Sequence, residues 1–389
     1  MSLSILGIGT AVPERAIDQA DAADAAGRLC GFNDKQRRLL PTLYRHAGVR
    51  QRHTVLLTAE ANGHPGGQFF YRSVEEGGPH GPTTAARMQK YAECAPGLAT
   101  TACRRAFANA SIEARAVTHL ITVSCSGFGA PGVDVQLIRD LGLPADVART
   151  HVGFMGCHGA LNALRVARAF VEADPEARVL VCAIELCSLH HQYGWNPEQI
   201  VANALFADGS AAVVCGHASE SAETDERPRW LSSGSTVVPE TEDLMSWSIG
   251  DHGFQMTLSA RVPDVIQSSL RTWLEGWLAG LGMDRAQVAH WGIHPGGPRI
   301  LQACVDALQL DPSAIETSKQ VLSEFGNMSS PTILFIVERL IRQKTPGPWV
   351  LLAFGPGLTI EAALVEPFVR TQTQIGMSHR TEASLGSPS

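Results

Sequence analysis

Three residue types in this chain could together perform acyl chemistry: a cysteine at 157, a histidine at 294 and an asparagine at 327. Cys157 lies in Gly153-Phe154-Met155-Gly156-Cys157-His158-Gly159-Ala160, a glycine-flanked turn that opens into a helix predicted from Ala160 to about Ala173. A thiol there faces unpaired backbone N–H groups and the positive end of the helix dipole, and both favour thiolate. The glycines leave room for a bulky substrate. The plain alternative is a buried cysteine acting as a small hydrophobe. His294 follows the short apolar run Trp291-Gly292-Ile293 and precedes Pro295-Gly296-Gly297-Pro298, a rigid turn that permits close approach. A strand-end histidine can equally be an ordinary satisfied polar group. Asn327 can equally cap the helix that follows it, so a chemical role needs its carboxamide to point outward.

The elements that must position these groups look duplicated. Ile112–Leu120 and Met283–Trp291, 171 positions apart, each lead through Val-x-His into a short apolar run. Such runs read as buried strands. Each then enters a glycine-rich loop, Ser126–Gly132 in the first copy and His294–Pro298 in the second. A helix follows in both, ending at Asp140-Leu141-Gly142 and near Leu308-Gln309-Leu310. Gly156-Cys157 stands opposite Gly326-Asn327, and the strand Arg178–Cys182 opposite Trp349–Ala353. Strands alternating with helices in this way predict two similar α/β units, whose matching helix mouths would bring Cys157 and Asn327 to one cavity. Their boundary is expected at the polar stretch Ser219–Glu226. Residues 62–82, rich in Gly and Pro, read as an irregular surface excursion, and the polar tail after about Arg370 lacks anything to pack.

A cysteine, histidine and asparagine suit two chemistries. In papain-like hydrolysis the Asn orients the His. In thioester condensation both donate hydrogen bonds to a developing enolate. The aromatic residue and second cysteine that flank a papain-type nucleophile are missing, which favours condensation.

Composition sets outer bounds. The 389 residues allow two domains or one duplicated one, with 44% hydrophobic and 18% charged residues, as in globular proteins. A net charge of −7 points away from a nucleic-acid surface or a polybasic anchor. Ser2–Thr10 reads as a first strand, not as a leader peptide, and no apolar run is long enough for a membrane span. Nine cysteines without a spacing framework suggest reduced thiols and a cytoplasmic protein. Cys182, Cys187, His190 and His191 lack the spacing of a zinc ribbon or finger, so no metal is expected.

The motifs resemble those of type III polyketide synthases, the chalcone and stilbene synthase superfamily of the thiolase fold. They are Ile8-Gly9-Thr10-Ala11-Val12-Pro13, Gly156-Cys157, Ala204–Gly209, Ile293–Pro298, Leu322–Ser330 and Phe354–Glu361, spanning the chain to about residue 368. The resemblance implies a duplicated αβαβα five-layered α/β fold. It places an N-terminal half at 1–225 with the nucleophile, a C-terminal half at 226–369 with His294 and Asn327, and a disordered tail at 370–389. It implies no cofactor, with CoA thioesters as substrates: an acyl-CoA starter loaded on Cys157 and malonyl-CoA as extender, in a homodimer.

By the same resemblance, Phe206 and Phe254 match two aromatic gatekeepers between the CoA tunnel and the cavity. Glu185, Cys125 and Ser329 fall where the family keeps a hydrogen-bonding trio implicated in aldol cyclisation, beside Ser126. Cys125 replaces a hydroxyl residue of the plant enzymes. Ala130 replaces a larger residue that reaches into the partner subunit's cavity there. His190 lies where plant enzymes have a small polar cavity residue, and the shorter Glu185–His191 segment reads as bacterial. Gly296 belongs to the His294 loop. Among the basic residues from Lys35 to Arg52, Arg45 is the one assigned to the CoA phosphates, together with Arg299 beside the His294 loop. An acyl carrier protein is an alternative starter donor. The nearest rival is a single-round β-ketoacyl-ACP synthase III-like enzyme, whose His-Gln-Ala-Asn loop is absent. A degradative thiolase needs a second cysteine that Phe354–Gly357 lacks. A non-catalytic scaffold of the same fold is the reading from another class.

Overall fold

Val179–Leu186 and Trp349–Gly355 are apolar almost without interruption and buried along their whole length. Strands covered on only one face alternate, so these two must lie inside a sheet packed on both sides. The computed structural model describes residues 3–58, 67–217 and 227–367. Its strands are β1 (Leu3–Ala11), β2 (Ala16–Asp18), β3 (Gln51–His53), β4 (His119–Ser124), β5 (Ala148–Gly153), β6 (Val179–Leu186) and β7 (Asp208–His217). They continue with β8 (Arg229–Val237), β9 (Met245–Gly250), β10 (Gly253–Leu258), β11 (His290–Ile293), β12 (Trp349–Gly355) and β13 (Thr359–Glu366).

Nine of them form one sheet in the order β11-β12-β13-β8-β1-β7-β6-β4-β5. The order repeats itself. β1 is antiparallel to β7, β7 antiparallel to β6, and β6 parallel to β4. Likewise β8 is antiparallel to β13, β13 antiparallel to β12, and β12 parallel to β11. Even the register recurs, with His119 opposite Val179 and His290 opposite Trp349. Among the described residues the two runs pair through Leu3↔Trp230 and Ser4↔Arg229, with the Ile5 N–H also donating to the Pro228 carbonyl at 2.9 Å. β5 has no counterpart in the second run, where the helix Glu316–Phe325 precedes the turn instead.

Helices fill three layers around the two half-sheets. The first apolar core packs the helices Gln19–Leu29, Asp34–Arg45 and Thr84–Ala110 on the outer face of one half. The third packs Val262–Gly280 and Pro298–Leu308 on the outer face of the other. Between them the middle core gathers Leu161, Leu164, Ile333, Leu334 and Val337 against strands of both halves. Its two helices, Gly159–Ala173 and Pro331–Arg342, are the ones that follow the Cys157 and Asn327 turns. This is the five-layered α/β arrangement expected.

The Ser219–Glu226 boundary and the 370–389 tail lie outside the described residues. Of the excursion at 62–82, the described part holds one short helix, Val74–Gly77, and a buried Tyr71. Among the described residues, no helix is long and apolar enough to cross a membrane.

Candidate active site

The Cys157 turn is set by its backbone. Phe154 and Gly156 have φ of 57° and 69°, and a short 3₁₀ turn Gly156–His158 leads straight into the Gly159–Ala173 helix. A Cβ on Gly156 would sit 2.4 Å from Pro356 Cδ, so only glycine fits there. The partner turn is built alike, with Gly326 at φ 73° and Ser329 at φ 56° ahead of the Pro331–Arg342 helix. Asn327 is not the cap of that helix; Ser330 holds that position. Instead Asn327 Oδ1 accepts from the Ser329 N–H at 2.8 Å. With its oxygen held, the carboxamide leaves Nδ2 free to donate, and the Asn327 and Ser329 side chains both lie where they favour the Cys157 thiolate.

His294 enters by a different route. Its N–H donates to the Leu352 carbonyl at 2.8 Å, extending the β11/β12 pairing by one residue. Its ring is buried beside His158, the residue after Cys157, and neither ring nitrogen has a hydrogen-bond partner. Buried polar atoms are almost always paired, so two orphaned nitrogens on one ring mark a group kept free for something else. His158 itself is tied down, between Asn162 Oδ1 and the Thr359 hydroxyl, each at 2.5 Å.

Burial decides the charges here. It pushes the Cys157 thiol up to about 12, against the pull of the Ser329 and Asn327 hydrogen bonds. It pushes His294 down to about 3. Loss of hydration thus opposes the lowering expected from the helix start. The pair rests as neutral thiol and neutral imidazole.

Glu185 is fully buried, and its carboxyl is raised by desolvation. It accepts from the N–H groups of Cys125 and Ser126 and from the hydroxyls of Ser126 (2.6 Å) and Ser330 (2.9 Å). The expected trio is thus wired differently. Ser329 acts on the Cys157 thiol, and Cys125 Sγ accepts from the Gly156 N–H at 3.1 Å. Glu185 acts as a staple between the Cys125 loop and the start of the Pro331 helix.

Three hollows surround these groups. Cys125, Ser126, Cys157, Glu185, Phe206 and Ser329 share a chamber of ≈ 30 Å³. Behind it a second chamber of ≈ 130 Å³ includes His190, Phe206 and Phe254 in its wall. An outer groove of ≈ 640 Å³ is lined by Gly296 and Arg299, with His46 opposite. Arg45 is exposed at the end of the flanking helix and is not on the groove wall, and Arg52 turns inward to donate to the Asn203 and Phe206 carbonyls. Ala130 is exposed, in a loop beside Phe128 and Asp134 and away from the sulfur's chamber. Among the described residues no cluster is arranged to hold a metal.

His190 is a bracket as much as a wall. Its Nε2 donates to the Ser126 carbonyl at 2.7 Å, its Nδ1 accepts from the Phe254 N–H at 2.9 Å, and its ring stacks on Phe254 at 4.2 Å. Trp247, absent from the sequence reading, lines both chambers and donates to the Cys125 carbonyl at 2.7 Å. Its signal was available: Ser246–Ile249 and Phe254–Thr257 alternate around Gly250-Asp251-His252-Gly253, the pattern of the β9–β10 hairpin.

Residues 2–219 match the model of the chalcone and stilbene synthase N-terminal domain, and residues 230–368 that of the C-terminal domain. This chain belongs to the chalcone and stilbene synthase family. Its members, the type III polyketide synthases, are acyltransferases that join CoA thioesters by decarboxylative condensation and need no separate cofactor. Among curated proteins the chain is 33% identical to the alpha-pyrone synthesis polyketide synthase-like Pks18 of Mycobacterium tuberculosis, over 93% of this chain and 90% of that protein. It is 32% identical to the 1,3,6,8-tetrahydroxynaphthalene synthase of Streptomyces peucetius subsp. caesius, over 93% and 92%. Polyketide synthase I of the brown alga Ectocarpus siliculosus superposes with a TM-score of 0.87 at 28% identity, covering 94% of this chain and 98% of that one.

Proposed function

We propose that Cys157 carries the growing chain, that His294 and Asn327 hold the enolate, and that the product is a pyrone, a resorcinol or a related aromatic polyketide. What supports this reading is that Asn327 and Ser329 both act on the Cys157 thiol, and that the buried His294 imidazole, near the residue after Cys157, keeps both nitrogens unpaired.

In loading, an unpaired His294 nitrogen takes the thiol proton as sulfur attacks the starter carbonyl. The C–S bond to CoA breaks, and the proton leaves with CoA. In extension, the malonyl C–C bond breaks with loss of CO₂, and its electron pair moves to the thioester oxygen between His294 and Asn327. Fixed donors in a dry site contribute about 10²–10³ in rate per donor. The enolate carbon then attacks the Cys157 thioester and expels the thiolate, which takes the chain back for the next round.

The chain divides, on this reading, into halves 1–225 and 226–369, with 370–389 outside both. Phe128, Phe154 and Met155, exposed beside β5, support a homodimer through that edge. The starter arrives as its CoA thioester in the cytoplasm, and an acyl carrier protein can be tried as donor in the same assay. Arg299 and Gly296 face CoA in the outer groove, while Arg45 reaches its phosphates only by side-chain movement. Asn327→Ala should lower malonyl-CoA decarboxylation about 10²–10³-fold and leave Cys157 loading near the wild-type rate. Equal loss of both steps rules out the assigned role.

A further inference from the structure

We infer that the second chamber takes the tail of an unbranched medium-chain aliphatic starter, an assignment that rests on the condensing function proposed above. The sulfur's own chamber, at ≈ 30 Å³, has room for only the first carbons of an acyl group. Among the described residues, the hollow that shares its wall is the ≈ 130 Å³ one, since Cys187, Phe206, Trp247 and Met256 line both. These four side chains therefore form the partition between them.

The far wall selects for chemistry. Ala22, Ala25, Ala26 and Leu29 come from one stripe of the Gln19–Leu29 helix, and Leu56 and Leu57 face them from the chain after β3. Small side chains at this helical spacing leave a smooth apolar trough. Most polar residues around it are already engaged, the exception being Arg52, whose Nε–H has no partner. The Tyr71 hydroxyl donates to the Ser188 carbonyl, and Thr54 bonds Ser188, which bonds Asp208. Gln68 closes on the Tyr71 backbone, while Asn203 and Gln192 bond each other. A ligand with many hydroxyls or carbonyls would find few partners there and would lose its hydration.

Size narrows the class. An apolar cavity of about 150 Å³ holds a benzene-sized molecule, so this chamber admits roughly six carbons. Adding the carbons between sulfur and partition gives a starter of about eight. Fused or phenylpropanoid rings do not fit, and very long chains would have to leave the chamber.

The test reads Cys157 acylation by intact-protein mass, which separates starter choice from later steps. Acetyl-, octanoyl-, palmitoyl- and benzoyl-CoA are compared with the full-length protein. Each buried methylene adds about fourfold to binding, so octanoyl-CoA should load at least tenfold more efficiently than acetyl-CoA, and ahead of benzoyl- and palmitoyl-CoA. Ala26→Leu and Leu57→Trp, which fill the trough from opposite sides, should each cut octanoyl loading at least tenfold and leave acetyl loading within twofold. Benzoyl- or acetyl-CoA as the preferred wild-type starter overturns the assignment. So does an equal fall for all starters in both variants when their unfolding temperatures match wild type. Loading of no starter, together with no malonyl-CoA decarboxylation, instead removes the condensing function on which the assignment rests.

Discussion

The turns at Cys157 and Asn327 are the same backbone device carrying different side chains. Each places a glycine at positive φ (69° and 73°) one residue before the functional group, and each feeds a helix of the middle layer. They differ in what precedes them and in how tightly they are held. The first comes off the edge strand β5 and is wedged against Pro356, with its thiol free of any capping duty. The second comes off a helix, and its carboxamide is fixed by its own loop through Ser329. One scaffold, used twice, thus yields a reactive atom on one side and a rigid donor on the other.

The largest expected effect breaks the pair functionally. Cys157→Ala should abolish starter loading and lower condensation by about 10³ or more while malonyl-CoA decarboxylation persists, the reverse of the Asn327→Ala pattern. Loading assays and ¹⁴CO₂ release measure the two halves separately. A Cys157→Ala protein that loses decarboxylation as completely as condensation would merge the roles.

Next comes the backbone. A non-glycine residue at positive φ costs about 1–3 kcal/mol, and an added Cβ at Gly156 also meets Pro356 at 2.4 Å. At Gly326 the closest contacts, to Ala207, Arg52 and the Leu205 carbonyl, are all at 3.0 Å. Gly156→Ala should therefore lower denaturant stability by about 3 kcal/mol or more, and Gly326→Ala by about 1–2 kcal/mol. The opposite order would show that the second turn is the tighter.

A smaller effect concerns protonation. Burial lowers His190, His191 and His294 to about 3 each. Unfolded, they take protons near pH 6.5, so below that pH the unfolded state binds more protons and stability falls until the folded values are reached. The unfolding temperature should drop steadily from pH 6.5 towards pH 4. His190→Gln should flatten that slope by about one proton, as measured by calorimetry across the range.

The smallest is kinetic. Iodoacetamide alkylation of Cys157 should speed up as pH rises, and Ser329→Ala should shift its pH dependence upward, since the Ser329 side chain favours the thiolate. An unchanged profile would mean that this side chain does not act on the sulfur.

Much of this comparison is legible in the sequence. The offset linking Val-x-His at 117–119 and 288–290 reappears as identical strand register, because buried parallel strands need apolar runs of fixed length. The helix expected from Ala160 begins at Gly159 and ends at Ala173 as read. The wiring of single side chains was not legible. Glu185 accepts from the hydroxyls of Ser126 and Ser330, whereas Ser329, at positive φ one residue earlier, acts on Cys157. Arg87 carries no local signal in the sequence, yet it is fully buried, donating to the carbonyls of Leu189 (2.7 Å), His191 (3.0 Å) and Pro82 (2.9 Å). Its guanidinium sets the segment that carries His190, a long-range pairing with no local pattern. The charge state of Cys157 also escaped, since a helix-start rule says nothing about how dry the site is.

The seam of two residue pairs between the half-sheets has a consequence for how this enzyme fails. With so few backbone links across it, the halves are fastened chiefly by the interior helices, and those same helices aim the sulfur and the amide. Mild heat or urea that lets the halves slip would misalign the reacting atoms while the outer shells still hold their secondary structure, so turnover would vanish ahead of the circular dichroism signal.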